Sequence, residues 1–204
     1  VREKFQPGPK PSYLMDRYQL HGKKILLTLS RISAQDNYKG HERVLNIMPD
    51  ICKAVPTAVY VIAGDGSGLP PLQKLAREKR LNGKVIFTGH VSEEEIVDHY
   101  RLADVFVMPS TGEGFGIVLL EAAACGIPVV AGRTDGSVDA LSEGKLGLLV
   151  DAQDEQHLAQ GVIQQLKGHS ARRNDGSSSP FRFPQIIQNF ADYVSSLSSH
   201  VQLK

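Results

Sequence analysis

Residues 110–131 read STGEGFGIVLLEAAACGIPVVA, and this stretch decides the fold. A polar, glycine-bearing loop precedes an almost wholly apolar helix, predicted for residues 116–125, whose one charged side chain is Glu121. Gly126 follows the helix, and Pro128 opens a short apolar strand. Because another apolar run of strand length precedes the loop, the stretch predicts a strand–loop–helix–strand unit of the kind that builds parallel sheets.

The same alternation continues on both sides of this unit. Strands that are apolar throughout and alternate with helices are typical of a parallel sheet that is covered on both faces. The sequence therefore predicts an α/β fold, a doubly wound parallel sheet with helices on both faces. A capping box of Ser92 and Glu95 is predicted to open the helix over residues 92–103. The predicted strands are ILLTLS at 25–30, AVYVIA at 58–63, KVIFTG at 84–89, VFVMP at 105–109, PVVAG at 128–132 and LGLLV at 146–150.

Four segments are predicted along the 204-residue chain. Residues 1–22 are rich in proline and indicate an interdomain linker and lead-in with one short helix. Residues 23–168 are predicted to form the α/β domain. Residues 169–183, rich in Gly, Ser and Arg, indicate a flexible connection, and the amphipathic residues 184–204 indicate a C-terminal helix.

The composition excludes several classes of protein. The net charge of +1 gives no reason to expect nucleic acid or a membrane surface as an obligate partner. No apolar run approaches the roughly 20 residues that span a bilayer, and the N-terminal residues show no signal-peptide pattern. Cys52 and Cys125 match no metal-ligand spacing and are expected to be buried thiols in a reducing compartment. The expected location is the cytoplasm, and no metal site is expected.

Polar and small residues follow the predicted strands, at the edge where open parallel sheets bind ligands. The loop Gly112–Gly116 brings backbone amides to the start of a helix, which is a ready-made anion site. Arg31 and Lys39 follow the first strand and could add positive charge to the same anion, which favours a diphosphate. The glycines of Gly64–Gly68 do not match a dinucleotide fingerprint, because they follow the second strand in the wrong pattern.

Two acids flank this predicted anion site. Glu121 leans toward the start of its helix, where a carboxylate would repel a phosphate but could accept hydrogen bonds from a neighbouring diol such as a ribose. Glu113 could do the same for a second set of hydroxyls. The alternatives are that Glu121 pairs with an Arg or Lys at the edge of the core, and that Glu113 is a solvated loop acid.

These residues resemble the two-glutamate motif of GT-B glycosyltransferases. Glu113 and Glu121 lie seven residues apart within EGFGIVLLEAAACGIPVVA, as in the large retaining family called glycosyl transferases group 1. The resemblance continues in the same order through SRISAQDNYKGHERVL, VIAGDGSGLPPLQKLA, VIFTGHVSEEEIVDHYRLADVFVMPS and VVAGRTDG, and FQPGPKPSYL resembles the interdomain linker. The implied fold is the Rossmann-like C-terminal half of a two-domain enzyme.

The resemblance implies a role for each matching residue. Arg31 and Lys39 match the pair that grips the donor diphosphate, and Glu113 matches the acid that contacts the donor sugar; these three are expected to be catalytic. Glu121 falls on the ribose acid, and Val91 falls where the backbone meets the base. The residues expected to contact the donor are Arg31, Lys39, Val91, Glu113, Gly114, Phe115, Gly116, Ile117, Val118 and Glu121.

The implied activity is transfer of a sugar from a nucleotide diphosphate to an acceptor, with retention, by a hexosyltransferase of bacterial polysaccharide or glycoconjugate biosynthesis. The donor is a substrate, and no cofactor or metal is expected. The resemblance implies that the acceptor site belongs to an N-terminal domain outside this chain, so weak donor binding and no turnover are expected. Any peripheral membrane contact is expected through that domain. The chain has Asp135-Gly136 where the family often has a glycine pair, and Val138-Asp139 where it often has Pro-Glu or Pro-Asp.

Three other classes of function fit parts of the pattern. A nucleotide-sugar epimerase or a phosphorylase of the same fold would share the sheet and the diphosphate site. A non-catalytic nucleotide-sugar-binding module would be complete as it stands, although the linker-like start favours a cut between domains. A NAD-type dehydrogenase domain would need the glycine fingerprint after the first strand, which is absent.

Overall fold

The computed structural model describes residues 4–35 and 37–168 of the chain. Within them, helices and strands alternate as the sequence predicts, and every predicted strand forms within two residues of its expected bounds. The elements are α1 (Ser12–Arg17), β1 (Lys24–Leu29), a 3-10 turn (Asn37–Lys39), α2 (His41–Ala54), β2 (Ala58–Ala63), α3 (Leu69–Glu78), β3 (Val85–Gly89), α4 (Ile96–Leu102), β4 (Val105–Met108), α5 (Ile117–Ala124), β5 (Val129–Gly132), α6 (Ser137–Ala140), β6 (Leu148–Val150) and α7 (Glu155–Gly168).

The six strands form one parallel sheet in the order β3-β2-β1-β4-β5-β6. The chain first builds outward from β1 to β3 and then crosses back to add β4 on the other side of β1. This order is the doubly wound arrangement of Rossmann folds, so the predicted fold class is confirmed. The direction of winding reverses between β1 and β4, and that reversal opens a crevice beyond the carboxyl ends of these two strands.

Two apolar layers cover the sheet, one on each face. In β1, Ile25 and Leu27 face one layer and Leu26 faces the other, as the alternation of a pleated strand requires. The first layer is formed by α1, α4, α5 and α6, and the second is formed by α2, α3 and α7. Burial on both faces explains why the central strands are continuous apolar runs.

The described part of the predicted linker, residues 4–22, packs against the α/β domain. Phe5, Leu14 and Leu20 are buried in the layer that contains α4 and α5. Arg17 on α1 donates two hydrogen bonds to the carboxylate of Glu95, at 2.8 and 2.9 Å. The short helix expected in this segment is therefore α1, and it is tied to the start of α4.

The same ion pair explains why the predicted capping box is wrong. The α4 helix begins at Ile96, and Glu95 is its N-cap residue without a side-chain capping bond. The carboxylate of Glu95 binds Arg17 instead of turning back to Ser92, because a forked guanidinium offers two charge-assisted hydrogen bonds where a capping box offers one.

The predicted connection 169–183 and C-terminal helix 184–204 lie outside the described residues. Among the helices of residues 4–168, none combines the length and the apolar character that crossing a membrane requires.

Candidate functional site

The loops that follow β1 and β4 meet over the crevice where the winding reverses. The amide of Thr111, after β4, donates a 2.9 Å hydrogen bond to the carbonyl of Tyr38, after β1. Gly40 has a positive φ of 83°, and a Cβ there would clash with the carbonyl oxygen of Pro109. The backbone of the Lys39 segment therefore lies directly against the loop that carries Glu113.

Arg43 joins these two loops, and the sequence analysis did not identify it. From the first turn of α2 its guanidinium donates to the carbonyls of Tyr38 at 3.3 Å and Pro109 at 3.2 Å. A third contact of 3.4 Å reaches the hydroxyl of Thr111. One side chain thus ties the segment before Lys39 to the segment before Glu113, which are remote in sequence.

The glycine-rich loop Gly64–Gly68 supports the backbone around Arg31. A Cβ on Gly64 would clash with the carbonyl of Ser30, and a Cβ on Gly66 would clash with that of Ile32. The amide of Ile32 donates to the carbonyl of Asp65 at 2.9 Å, and the amide of Gly68 returns a 3.0 Å bond to the carbonyl of Ile32. These glycines therefore allow close packing on the residues that flank Arg31.

His41, at the start of α2, is held neutral beside Lys39. Burial, with a smaller contribution from the charge of Lys39, lowers the pKa of His41 to about 4. Its Nε2 lies 3.1 Å from the hydroxyl of Ser30. His41 is therefore uncharged at neutral pH and adds no positive charge beside Lys39.

The α5 helix begins directly after the loop Gly112–Gly116. Gly116 is its N-cap, with a left-handed φ of 83° and no side-chain capping bond. The first amides of a helix have no intrahelical acceptor, and the positive end of the helix dipole favours an anion there. Phe115 is buried, whereas Val118 is half-buried and Ile117 is 54% exposed. The amides of Ile117 and Val118 therefore open onto a reachable surface.

Glu121 lies one turn further along α5, and the structure gives it a partner within the chain. The Tyr100 hydroxyl, on the fully buried ring of α4, donates a 2.7 Å hydrogen bond to Oε2 of Glu121. At this oxygen the partner of Glu121 is therefore a tyrosine hydroxyl rather than an Arg or Lys. Burial raises the pKa of Glu121, while the Tyr100 hydrogen bond and the charge of Lys4 act in the opposite direction.

Glu113 is held by the loop that follows β5. Its amide donates a 2.8 Å hydrogen bond to the carboxylate of Asp135, and its carbonyl accepts a 2.9 Å bond from the amide of Gly136. The Glu113 side chain is half-buried, and Gly114 beside it is exposed. The sequence identified Asp135 only as a departure from a glycine pair, because no local pattern reveals a contact across two loops.

Val91 follows β3, at the outer edge of the sheet and two strands from β1. The amide of Gly64 donates a 3.0 Å hydrogen bond to the carbonyl of Gly89, which links the loop near Val91 to the loop that packs on Ser30 and Ile32. Val91 is half-buried, and His90 is exposed. The predicted donor-contacting residues therefore all follow the carboxyl ends of strands, with Val91 at one side and Glu113 near the centre.

Among residues 4–35 and 37–168, no three His, Cys, Asp or Glu side chains lie close enough together to hold a metal ion. The predicted donor-contacting groups that follow the strand ends are backbone amides, two cations and two carboxylates. Amides and cations bind an anion such as a diphosphate, and carboxylates bind hydroxyl groups.

Comparison with known proteins assigns this arrangement to a family. The chain is 36% identical over 160 residues to a GDP-mannose-dependent alpha-(1-6)-phosphatidylinositol monomannoside mannosyltransferase of Mycolicibacterium smegmatis. The match covers 74% of this chain and 41% of that enzyme, so the chain spans less than half of its relative.

Two solved structures have the same fold. Anabaena Alr3699/HepE in complex with UDP superposes with a TM-score of 0.74 at 22% identity, over 96% of this chain and 55% of that one. The C-terminal domain of a glycosyl transferase group 1 family protein (LpcC) from Francisella tularensis also superposes with a TM-score of 0.74, at 20% identity. That superposition covers 93% of this chain and 97% of the solved domain.

The family model described as "Glycosyl transferases group 1" matches residues 15–178, which include every predicted donor-contacting residue. This match confirms the resemblance that was found from the two-glutamate motif and the segments around it. The chain therefore belongs to the glycosyl transferases group 1 family.

Proposed function

We propose that this chain is the donor-binding domain of a glycosyltransferase and that it binds a nucleotide-diphosphate sugar in the crevice between β1 and β4. The observation that carries the proposal is the joining of the Lys39 and Glu113 loops over the start of α5. That junction brings the backbone beside Lys39 against the loop that carries Glu113 and leads into α5. Arg31 follows the same strand as Lys39 and is supported from behind by the Gly64–Gly68 loop.

Two sides of the crevice suit two parts of such a ligand. The diphosphate is assigned to the amides of Ile117 and Val118 together with Arg31 and Lys39, since charge-assisted hydrogen bonds contribute about 1.5–3 kcal/mol each. The ribose is assigned to Glu121, whose Oε1 is not used by Tyr100.

The remaining donor groups are assigned to the loops on either side. The donor sugar is assigned to Glu113 and the backbone of Gly114, Phe115 and Gly116, and the base is assigned to the backbone at Val91. Two similar proteins support this class of ligand. One is the GDP-mannose-dependent mannosyltransferase, and the other is Anabaena Alr3699/HepE, which was solved with UDP and with UDP-glucose.

The proposed reaction breaks the bond between the anomeric carbon of the sugar and the β-phosphate oxygen. The nucleoside diphosphate leaves with the bonding electron pair, and its growing charge is stabilised by Arg31, Lys39 and the helix amides without a metal ion. The acceptor hydroxyl oxygen forms the new bond to the anomeric carbon, and its proton passes to the departing diphosphate. Retention at the anomeric carbon is part of the proposal on the strength of the family resemblance.

The proposal assigns the acceptor site to a second domain, because the chain spans only 41% of the mannosyltransferase that it matches. The isolated chain is then expected to bind donor weakly and not to turn it over. The whole enzyme is proposed to act in the cytoplasm, in the biosynthesis of a glycoconjugate or polysaccharide. Acceptor-dependent turnover by the full-length protein would distinguish this function from that of an epimerase of the same fold.

Calorimetric titration of the chain with GDP, UDP and ADP tests the proposal. We expect at least one of these nucleotides to bind, and we expect Lys39→Ala and Glu121→Ala each to weaken that binding about tenfold or more, the equivalent of one charge-assisted hydrogen bond. Addition of EDTA is expected to leave the affinity unchanged.

Matched controls replace exposed charges away from the crevice. Lys23→Ala removes a lysine before β1, at the opposite edge of the sheet, and Asp50→Asn removes an exposed acid near the end of α2. Both are expected to bind like the parent chain. Absence of binding by all three nucleotides, or parental affinity in both site variants, would contradict the proposal.

A further inference from the structure

Asp135 joins the loop after β5 to the loop that carries Glu113. Its Oδ2 accepts hydrogen bonds from the hydroxyl of Ser110 at 2.7 Å and from the amide of Glu113 at 2.8 Å. Its Oδ1 accepts a 3.0 Å bond from the amide of Ser137, at the start of α6. One carboxylate thus connects the end of β4, the Glu113 loop and α6.

The neighbouring glycine completes the connection. The amide of Gly136 donates a 2.9 Å hydrogen bond to the carbonyl of Glu113. A Cβ on Gly136 would clash with the carbonyl of Gly114, so the two backbones are as close as they can pack. Both polar backbone groups of Glu113 are therefore bound, one by Asp135 and the other by Gly136.

Asp135 is charged in this arrangement. Burial favours the neutral form of the carboxyl, but the hydrogen bonds from Ser110, Glu113 and Ser137 outweigh it, and the pKa of Asp135 is lower than usual. A glycine at this position would supply neither the charge nor the two acceptor oxygens. The departure from the glycine pair therefore adds contacts to the loop.

We propose that Asp135 is a positioning residue for donor-sugar recognition, which it serves by fixing the backbone of Glu113 so that the Glu113 carboxylate meets the sugar hydroxyls. The inference rests on the proposed function, because it needs Glu113 to contact the sugar. The Asp135 carboxylate is assigned no contact with the sugar or the diphosphate, because its oxygens bind Ser110, Glu113 and Ser137. Its loss should weaken recognition of the sugar while leaving recognition of the nucleotide intact.

The test compares donors with their nucleotides. The sugar increment is defined as the Kd of GDP divided by that of GDP-mannose, or the Kd of UDP divided by that of UDP-glucose, for whichever pair the chain binds. Asp135→Asn keeps the size of the side chain but turns an NH₂ group toward the amide of either Glu113 or Ser137. Asp135→Gly removes all three contacts, and Glu113→Gln tests the sugar contact directly.

We expect both Asp135 variants to reduce the sugar increment at least threefold while the Kd of the nucleotide changes less than twofold, about 0.4 kcal/mol. Asp139→Asn is the matched control, since Asp139 is an exposed acid on α6, and it should retain the parental increment.

The outcomes separate this inference from the proposed function. If Glu113→Gln lowers the increment but neither Asp135 variant does, the positioning role is overturned and the proposed function stands. Equal loss of affinity for nucleotide and nucleotide-sugar in the Asp135 variants also overturns it, since that result indicates general loosening of the domain. A parent chain without an increment, or an increment that Glu113→Gln leaves unchanged, overturns both.

Discussion

Replacement of Glu121 by glutamine should weaken nucleotide binding by an amount that follows from its contacts. Tyr100 occupies Oε2, which leaves Oε1 and the remaining lone pair for the two hydroxyls of a ribose. Hydrogen bonds to a charged group contribute about 1.5–3 kcal/mol and neutral ones about 0.5–1.5, so the loss is about 1 kcal/mol per hydroxyl. Two hydroxyls give about 2 kcal/mol, which corresponds to a roughly 30-fold higher Kd.

The same substitution should not destabilise the ligand-free chain at neutral pH. Because burial raises the pKa of Glu121, the folded chain binds this proton more tightly than the unfolded chain does. The carboxyl therefore contributes stability below its unfolded pKa, and that contribution is lost as the pH rises through the folded pKa. Glutamine carries no charge, so the variant should melt at or above the parent temperature at pH 7, and its advantage should shrink at pH 4.

Two measurements together test this reasoning. Calorimetry gives the Kd of GDP or UDP for the parent and for Glu121→Gln, and thermal unfolding at pH 4 and pH 7 gives the stability of each. Glu78→Gln, on the exposed side of α3, is the matched control and should change neither quantity. A variant that melts well below the parent at pH 7 while binding nucleotide equally well would refute the reasoning, because Glu121 would then be a structural acid.

Three further predictions concern the segment that joins the two central loops. Gly40→Ala forces alanine into a left-handed backbone conformation, which costs about 1–2 kcal/mol, and brings its Cβ against Pro109. It should therefore lower the melting temperature more than Gly83→Ala, because Gly83 also has a positive φ but a Cβ there would have no atom within 4 Å. Arg43→Met should raise the nucleotide Kd about tenfold in calorimetry, because the loops lose their shared donor; an unchanged Kd would contradict this role. His41, with a pKa near 4 when folded, should make stability rise by about 3 kcal/mol from pH 4 to 6.5, and denaturant unfolding of His41→Gln should show a flatter profile.

Apolar patterning was sufficient to predict the sheet. The strand AVYVIA forms as β2 at the expected bounds, Ala58–Ala63, because a run that is buried on both faces has one stable environment in a parallel sheet. Helix α5 likewise forms within one residue of its expected bounds. The short helix α6 was not predicted, since four residues carry too little periodicity to be recognised.

The candidate site was predicted from the strand ends, but the contacts that support it were not. Tyr100 lies 21 residues before Glu121, and Arg43 lies 66 residues before Pro109, so no local pattern connects them. The capping box at Ser92 was wrong for the same reason, because a remote Arg17 binds Glu95. The tertiary fold determines which partner a polar side chain binds, whereas sequence spacing indicates only the partners that lie nearby in the chain.

A crystal structure of this chain with GDP or UDP would test the donor site most directly. The proposed function predicts the β-phosphate within hydrogen-bonding distance of the Ile117 or Val118 amide and of Arg31 or Lys39. It also predicts that the ribose hydroxyls bind Glu121 while the Tyr100 hydrogen bond stays in place. A nucleotide bound elsewhere on the domain, or one bound in the crevice with its ribose remote from Glu121, would contradict the assignment.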